Sequence, residues 1–175
     1  AADLMPDDTE YLATLSLALM ATDRIEEALV AAHDVAKDEE ANAIALDSAA
    51  DVFEQAALHH AALALLERAA TLAPDNLAIA FNLARVRKFC GDVAGARASI
   101  EHILALAPGH ILAMAQLSEL REATADSNQL AAYHHLFSRV QDPGLRLRLA
   151  HGAARECEAL GRLDEAMTLF KVCKE

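Results

Sequence analysis

Apolar residues recur along this chain at intervals of three and four. Leu12, Leu15 and Leu19 do so near the N-terminus, then Leu46, Ala49, Ala50 and Phe53, then Leu83, Ala84 and Val86. The stretches between repeat the habit, with Ala62, Leu65, Leu66 and Ala69, and with Ala96, Ile100, Ile103 and Leu104. This spacing places the apolar side chains on one face of a helix and does not alternate as a strand would. The simplest role for these rows is core packing.

The helical segments keep a longer period. Pro74 and Pro108 lie 34 residues apart, and Ala50/Ala62/Pro74 becomes Ala84/Ala96/Pro108 one step later. The same frame puts Ser16 and Ala28 on the small-residue rows towards the N-terminus and, after a slip of two, Ala154 and Ala166 towards the C-terminus. A period of this length, filled with helix formers, predicts a solenoid of helix pairs. The chain divides into a tail, residues 1–8, and a repeat region, residues 9–175. The blocks are 9–42, 43–76, 77–110, 111–146 and a shortened 147–175.

Each block splits into a helix A and a helix B. The splits fall at Asp23, Gly91-Asp92, Asp126-Ser127-Asn128 and Gly161, where glycine suits a left-handed cap and Asp or Ser can start the next helix. Block boundaries carry Pro74-Asp75-Asn76, Pro108-Gly109 and Asp142-Pro143-Gly144, and proline cannot extend the helix before it. Small residues facing each other across a pair let two helices approach to the short end of the ~8–10 Å range. Arg24-Ile25-Glu26-Glu27 and Arg162-Leu163-Asp164-Glu165 open B helices, and their acids suit the positive end of the helix dipole.

This pattern resembles the tetratricopeptide repeat (TPR) family. The family's helix A motif of a large apolar residue, a small pair and an aromatic is matched by Leu46, Ala49-Ala50 and Phe53; its helix B motif by Ala62, Leu66, Ala69 and the closing Pro74. The next block reads Leu83-Ala84, Gly91, Ala96, Ile100, Pro108, and the last reads Ala153-Ala154, Cys157, Gly161, Ala166, Phe170. The fourth block departs from it, with Leu130 for the small residue and Arg121 for the aromatic, so its helix register is open. The resemblance implies an all-α, right-handed superhelical solenoid of about five antiparallel helix pairs. It also implies a scaffold that binds a protein or peptide on its concave side.

A narrower resemblance lies in the last two blocks. Tyr133-His134-His135-Leu136, Asp142, Leu149-Ala150-His151-Gly152-Ala153-Ala154 and the run from Glu158 to Met167 are similar to the repeat region of bacterial TPR–sulfotransferase fusions. It implies an accessory region that presents a substrate to an enzyme domain beyond Glu175. No Gly-rich phosphate-cradling loop is present here, so this stretch would not itself hold a sulfuryl donor.

Composition narrows the partners. The net charge of −12, from 15 basic and 27 acidic residues, disfavours nucleic acid and anionic membrane surfaces. The longest uncharged stretch, Tyr11 to Thr22, is too short to span a bilayer, and the acids before it argue against a signal peptide. Cys90, Cys157 and Cys173 are an odd set without CxxC spacing, which implies neither zinc nor a disulfide framework; all three fall on expected helices as reduced thiols, and a reducing, cytoplasmic setting is the simpler expectation. The chain opens without Met and stops just after an apolar helix pattern, which suggests a piece of a longer protein.

No catalytic constellation, cofactor motif or metal site is expected. The pairs His59-His60 and His134-His135 are adjacent, about 100° apart on a helix, whereas helical zinc ligands favour a spacing of four. The serines lack a nucleophile elbow. The A helices offer more. If they line the concave side, the second block presents Asp47, Asp51, Glu54 and Gln55, and the third Phe81, Asn82, Arg85, Lys88 and Phe89. The fourth presents Leu112, Gln116, Glu119 and Glu122, and the fifth Arg148, His151, Arg155 and Glu158. These rows have two readings: neighbouring rows pair as surface salt bridges of about 0–1 kcal/mol each, or they form a groove for a mixed-charge segment, with Asn82 bonding its backbone and Phe81 or Phe89 as an apolar floor. The chaperone-tail clamp of the TPR family is not reproduced, because Asp47 and Asp51 stand where cations would be needed. A self-assembly module, joined through the fifth block's apolar face near Phe170, is a further possibility.

Overall fold

The computed structural model describes residues 8–172. Ten helices follow one another: α1 (Asp8–Ala21), α2 (Ile25–Lys37), α3 (Ala43–Gln55), α4 (His59–Leu72), α5 (Leu77–Phe89), α6 (Val93–Leu106), α7 (Ile111–Leu120), α8 (Leu130–Phe137), α9 (Pro143–Ala159) and α10 (Leu163–Val172). There is no strand among the described residues, only an isolated bridge between Thr124 and Ser127. The chain packs as two units, residues 1–96 and 97–175, with the division inside α6.

The 34-residue period is written into the helix ends. Asn42 and Asn76 cap α3 and α5 in the same way: the Asn42 side chain accepts from Ile44 N at 3.1 Å and Ala45 N at 2.9 Å, and Asn76 accepts from Ala78 N at 3.0 Å and Ile79 N at 3.2 Å. His110 holds the equivalent place at α7, where Nδ1 accepts from Ala113 N. Each side chain satisfies helix-start amides that have no partner within the helix.

The A-to-B turns repeat as well. Asp23, Ala57, Gly91 and Gly161 all have left-handed φ, of +61°, +60°, +83° and +72°. The first three are 34 residues apart. Each is followed by a residue whose N–H reaches back five positions: Arg24 to Leu19 O, Leu58 to Phe53 O, Asp92 to Arg87 O and Arg162 to Cys157 O. These are Schellman closures, which reverse the chain within three residues and set helix B antiparallel to helix A.

In the first unit the small rows are fully enclosed. Ser16, Ala28, Ala62, Ala84 and Ala96 are 0% exposed and Ala50 is 1% exposed. Ala28, Ala50 and Ala62 share one core with Leu46, Val52, Phe53, Leu66 and Ile79. Ser16 is accommodated because its hydroxyl donates to Ala13 O at 2.7 Å.

The second unit is built on α9, which packs against α7, α8 and α10. That is why α9 buries a wide face: Leu149, Ala150, Gly152, Ala153, Ala154, Glu156 and Cys157. Tyr133 of α8 lies across it and donates its hydroxyl to Met114 O at 2.7 Å. The fourth block differs from the others: α7 stops at Leu120, and residues 121–129 form a loop before the short α8.

One expectation needs correction. Cys90 lies just past α5, in the C-cap position and only partly buried, because the turn to Gly91 ends the helix there. Helix α9 begins at Pro143, where Asp142 caps it by accepting from Leu145 N at 2.8 Å and proline fits the first turn. Cys173 lies outside the described residues.

Candidate functional site

In the first unit, Asp47, Asp51 and Glu54 occupy one stripe of α3, at i, i+4 and i+7. Asn82 and Arg85 occupy a stripe of α5 at i and i+3. The stripes meet. Asn82 Nδ2 donates to Asp47 Oδ1 at 2.9 Å, while its Oδ1 accepts from Arg85 at 3.3 Å. Arg85 also forms a salt bridge with Glu54, whose side chain is 9% exposed. Gln55 donates to Asp51 at 3.1 Å.

This arrangement pairs neighbouring rows and engages both ends of the Asn82 amide, one N–H and the oxygen. Three carboxylates face one guanidinium here, so the surface stays acidic. Burial, more than any neighbour, pushes the Asp47 carboxyl above its ordinary range; the Asn82 hydrogen bond and Arg85 pull it back and Asp51 adds to the rise. Burial also raises Glu54, against the pull of Arg85.

The aromatic candidates separate. Phe81 is half-buried. Phe89 is 63% exposed and its ring stacks on His59, with centroids 4.9 Å apart and planes 8° apart. It therefore covers the start of the B helix α4. Lys88 is exposed at the end of α5.

In the second unit, Gln116 and Glu119 lie on α7, and Arg148 and Arg155 lie on α9. Gln116 is half-buried, and Glu119, Arg148 and Arg155 are exposed. Arg155 Nε donates to Ser118 O at 3.2 Å. Ser118 is in the last turn of α7, where carbonyls lack helical partners and a cation is favoured. Arg155 therefore caps the neighbouring helix. Arg68 does the same for α2, donating to Ala36 O and Asp38 O at 2.8 Å, and Arg146 for α8, donating to Phe137 O at 3.0 Å and Val140 O at 3.1 Å.

The ends of α7 and α9, with the loop after α7, enclose a cavity of about 330 Å³. Ser118, Arg121, Glu122, Arg155, Glu156 and Glu158 line it. Glu156 is 2% exposed and accepts from Gln129 N. Burial raises its carboxyl above the ordinary range, and the Gln129 amide and Arg121 oppose the rise. Arg121 turns towards Ser127, donating to its carbonyl at 3.2 Å. Sequence reasoning included Glu122, Arg155 and Glu158 in its rows but missed Glu156 and Arg121, since a charged residue on a helix reads as solvated surface.

His134 pairs with Glu165 at 3.4 Å across α8 and α10. Among the described residues no group of His, Cys, Asp and Glu is placed to hold a metal ion. No helix among them is long and apolar enough to cross a membrane.

No protein-family model matches the chain, and no curated protein sequence matches it either. Solved structures do. The chain is similar to a MamA protein, at 19% identity and TM-score 0.74, over 97% of this chain and 91% of that one. It is similar to the TPR-like repeats of a Podospora anserina putative kinesin light chain, at 17% identity and TM-score 0.72, over 97% and 95%. A tetratricopeptide repeat protein from Parabacteroides merdae follows, at 20% identity and TM-score 0.69, over 94% and 65%. With ten helices and repeated caps among the described residues, the chain has the TPR-like fold of an all-α helix-pair solenoid.

Proposed function

We propose that this protein is a non-catalytic scaffold that binds a peptide or helical segment of a protein partner along the polar rows of its A helices. In the first unit the surface is Asp47, Asp51, Asn82 and Arg85, with Phe81, Lys88 and Phe89 alongside. In the second it is Gln116, Glu119, Arg148 and Arg155. The observation that carries this reading is the sharing of Asn82 between Asp47 and Arg85. A surface amide held in a charged network presents a fixed polar pattern, and a fixed pattern gives specificity at small entropic cost.

Among the described residues, no arrangement of nucleophile, base and oxyanion donors competes with it. The acidic surface favours protein partners over nucleic acid. Affinity capture with mass spectrometry tests the reading. Arg85→Glu/Lys88→Glu removes the captured partner if the first unit's rows bind it, and capture unchanged by this variant, with the helical circular dichroism spectrum intact, removes that surface from consideration.

A second reading makes the chain an accessory region of a sulfotransferase. It rests on the sequence run around Tyr133, Gly152 and Glu158-Ala159-Leu160-Gly161. A Gly-rich donor-phosphate loop downstream in the intact protein would support it, and a sequence without one would end it. Self-association through the face that carries exposed Leu163 and Met167, beside Phe170, is checked by light scattering and should fall when Met167 becomes Glu.

A further inference from the structure

Three Arg-x-x-Glu pairs sit on helices or their first turns in this chain: Arg24/Glu27, Arg155/Glu158 and Arg162/Glu165. Two of them close as salt bridges, Arg24 with Glu27 and Arg162 with Glu165. The third does not. Arg155 turns the other way, its Nε held by Ser118 O at the end of α7. Arg155 and Glu158 both line the cavity between α7 and α9 without pairing with each other. Among the described residues, neither Glu158 nor Glu122 has a side-chain hydrogen bond or ion pair, although both line the same cavity as two arginines.

The cavity therefore offers open charges of both signs. Arg121 is committed to Ser127 and acts on the buried Glu156. Arg155 is left as the open cation and Glu122 and Glu158 as the open anions. A purely anionic ligand would meet two uncompensated carboxylates, and a purely cationic one would meet Arg155. The cavity's size, about 330 Å³, suits one or two side chains.

We infer that this cavity receives a partner segment carrying a carboxylate and a cationic side chain one helical turn apart, with the carboxylate on Arg155 and the cation on Glu158 and Glu122. Opposite charges three or four positions apart on a helix lie about 5–6 Å from each other, the scale of neighbouring groups on α9. The inference rests on the scaffold reading and names the partner chemistry for the second unit. Charge-assisted hydrogen bonds made at both ends would align the segment as well as hold it.

Fluorescence anisotropy on the full chain tests it with three labelled, alanine-rich helical peptides of about 15 residues. One carries a central Glu–Lys pair at i, i+4, one Glu–Glu and one Lys–Lys. The Glu–Lys peptide is expected to bind about tenfold more tightly than either of the others. Glu158→Gln is expected to remove most of that preference. This variant carries the test because the exposed Glu158 side chain has no hydrogen bond or ion pair to lose. Arg155→Gln, with its helicity checked by circular dichroism, should do the same, and Arg139→Gln, an exposed arginine outside the cavity, should change nothing. Equal affinity for the three peptides, no binding of any, or an unchanged preference in Glu158→Gln overturns the inference, as does displacement of the peptide by free lysine, which would make the ligand a small zwitterion. Loss of the captured partner in Arg85→Glu/Lys88→Glu would leave the scaffold reading standing even then.

Discussion

Ala57 and Gly91 hold the same left-handed position one repeat apart, with φ of +60° and +83°. Both make the same hydrogen bond, Ala57 N donating to Glu54 O and Gly91 N to Lys88 O. Alanine bears a Cβ that the left-handed region penalises by about 1–2 kcal/mol, and glycine does not. The solenoid geometry overrides the local preference at Ala57. Ala57→Gly should therefore stabilise the protein by about 0.5–1 kcal/mol, seen as a higher midpoint in chemical denaturation. Gly91→Ala should cost about 1–2 kcal/mol, although nothing lies within 4 Å of the added methyl. An unchanged midpoint in both variants would remove the backbone explanation.

A Cβ built on Gly152 would stand 2.8 Å from Tyr133 Cζ and 2.9 Å from Cε1. The ring cannot retreat, because its hydroxyl is fixed on Met114 O and Tyr133 is 1% exposed. Gly152→Ala should overpack this contact and cost about 1–3 kcal/mol. Tyr133→Phe should cost about 0.5–1.5 kcal/mol by leaving the carbonyl without its donor. Thermal melts of both variants check the pair.

Glu156 makes stability depend on pH with a sign opposite to that of a salt-bridged carboxylate. Its folded-state pKa is raised by burial, so the folded chain binds this proton more tightly than the unfolded chain. Its contribution is most favourable below the ordinary carboxylate range and is lost as the pH rises through the raised value. Glu156→Gln, which keeps an acceptor for Gln129 N, should gain stability relative to the parent at pH 7–8 and gain least near pH 4. Denaturation midpoints measured across that range should show the difference growing with pH.

Ala84→Leu and Ala96→Leu place a larger side chain on the small rows, where both alanines are 0% exposed. Each should cost about 1–3 kcal/mol. A thermal melt without loss in either would show that these buried positions accept a larger side chain.

Much of the architecture was legible because it is punctuated. Pro74 and Pro108 cannot extend a helix, and Asn42, Asn76 and Asp142 carry the oxygen that a helix start requires. Gly91 and Gly161 announce their turns. Ala57 does not, since alanine is the strongest helix former and only tertiary packing forces it out of the helix. The charged rows on the A helices were legible as rows, and α3 and α5 bring theirs together through Asn82.

Two features of the site were hidden for a physical reason. Arg155 and Glu158 share the spacing of pairs that close elsewhere, and only the end of α7, distant in sequence, turns Arg155 away. Glu156 reads as exposed until α9 is known to pack on three helices at once. Phe89, expected as a floor for the groove, is taken by His59 because the end of α5 lies beside the start of α4.

The central claim is that the polar rows of the A helices meet the partner. Chemical-shift perturbation on the isotope-labelled chain, titrated with a partner segment recovered by affinity capture, addresses it residue by residue. The account predicts that the largest shifts fall on α3, α5, α7 and α9, at positions such as Asn82, Arg85, Arg148 and Arg155. Shifts concentrated on α4, α6 and α10, with those rows unmoved, would contradict it.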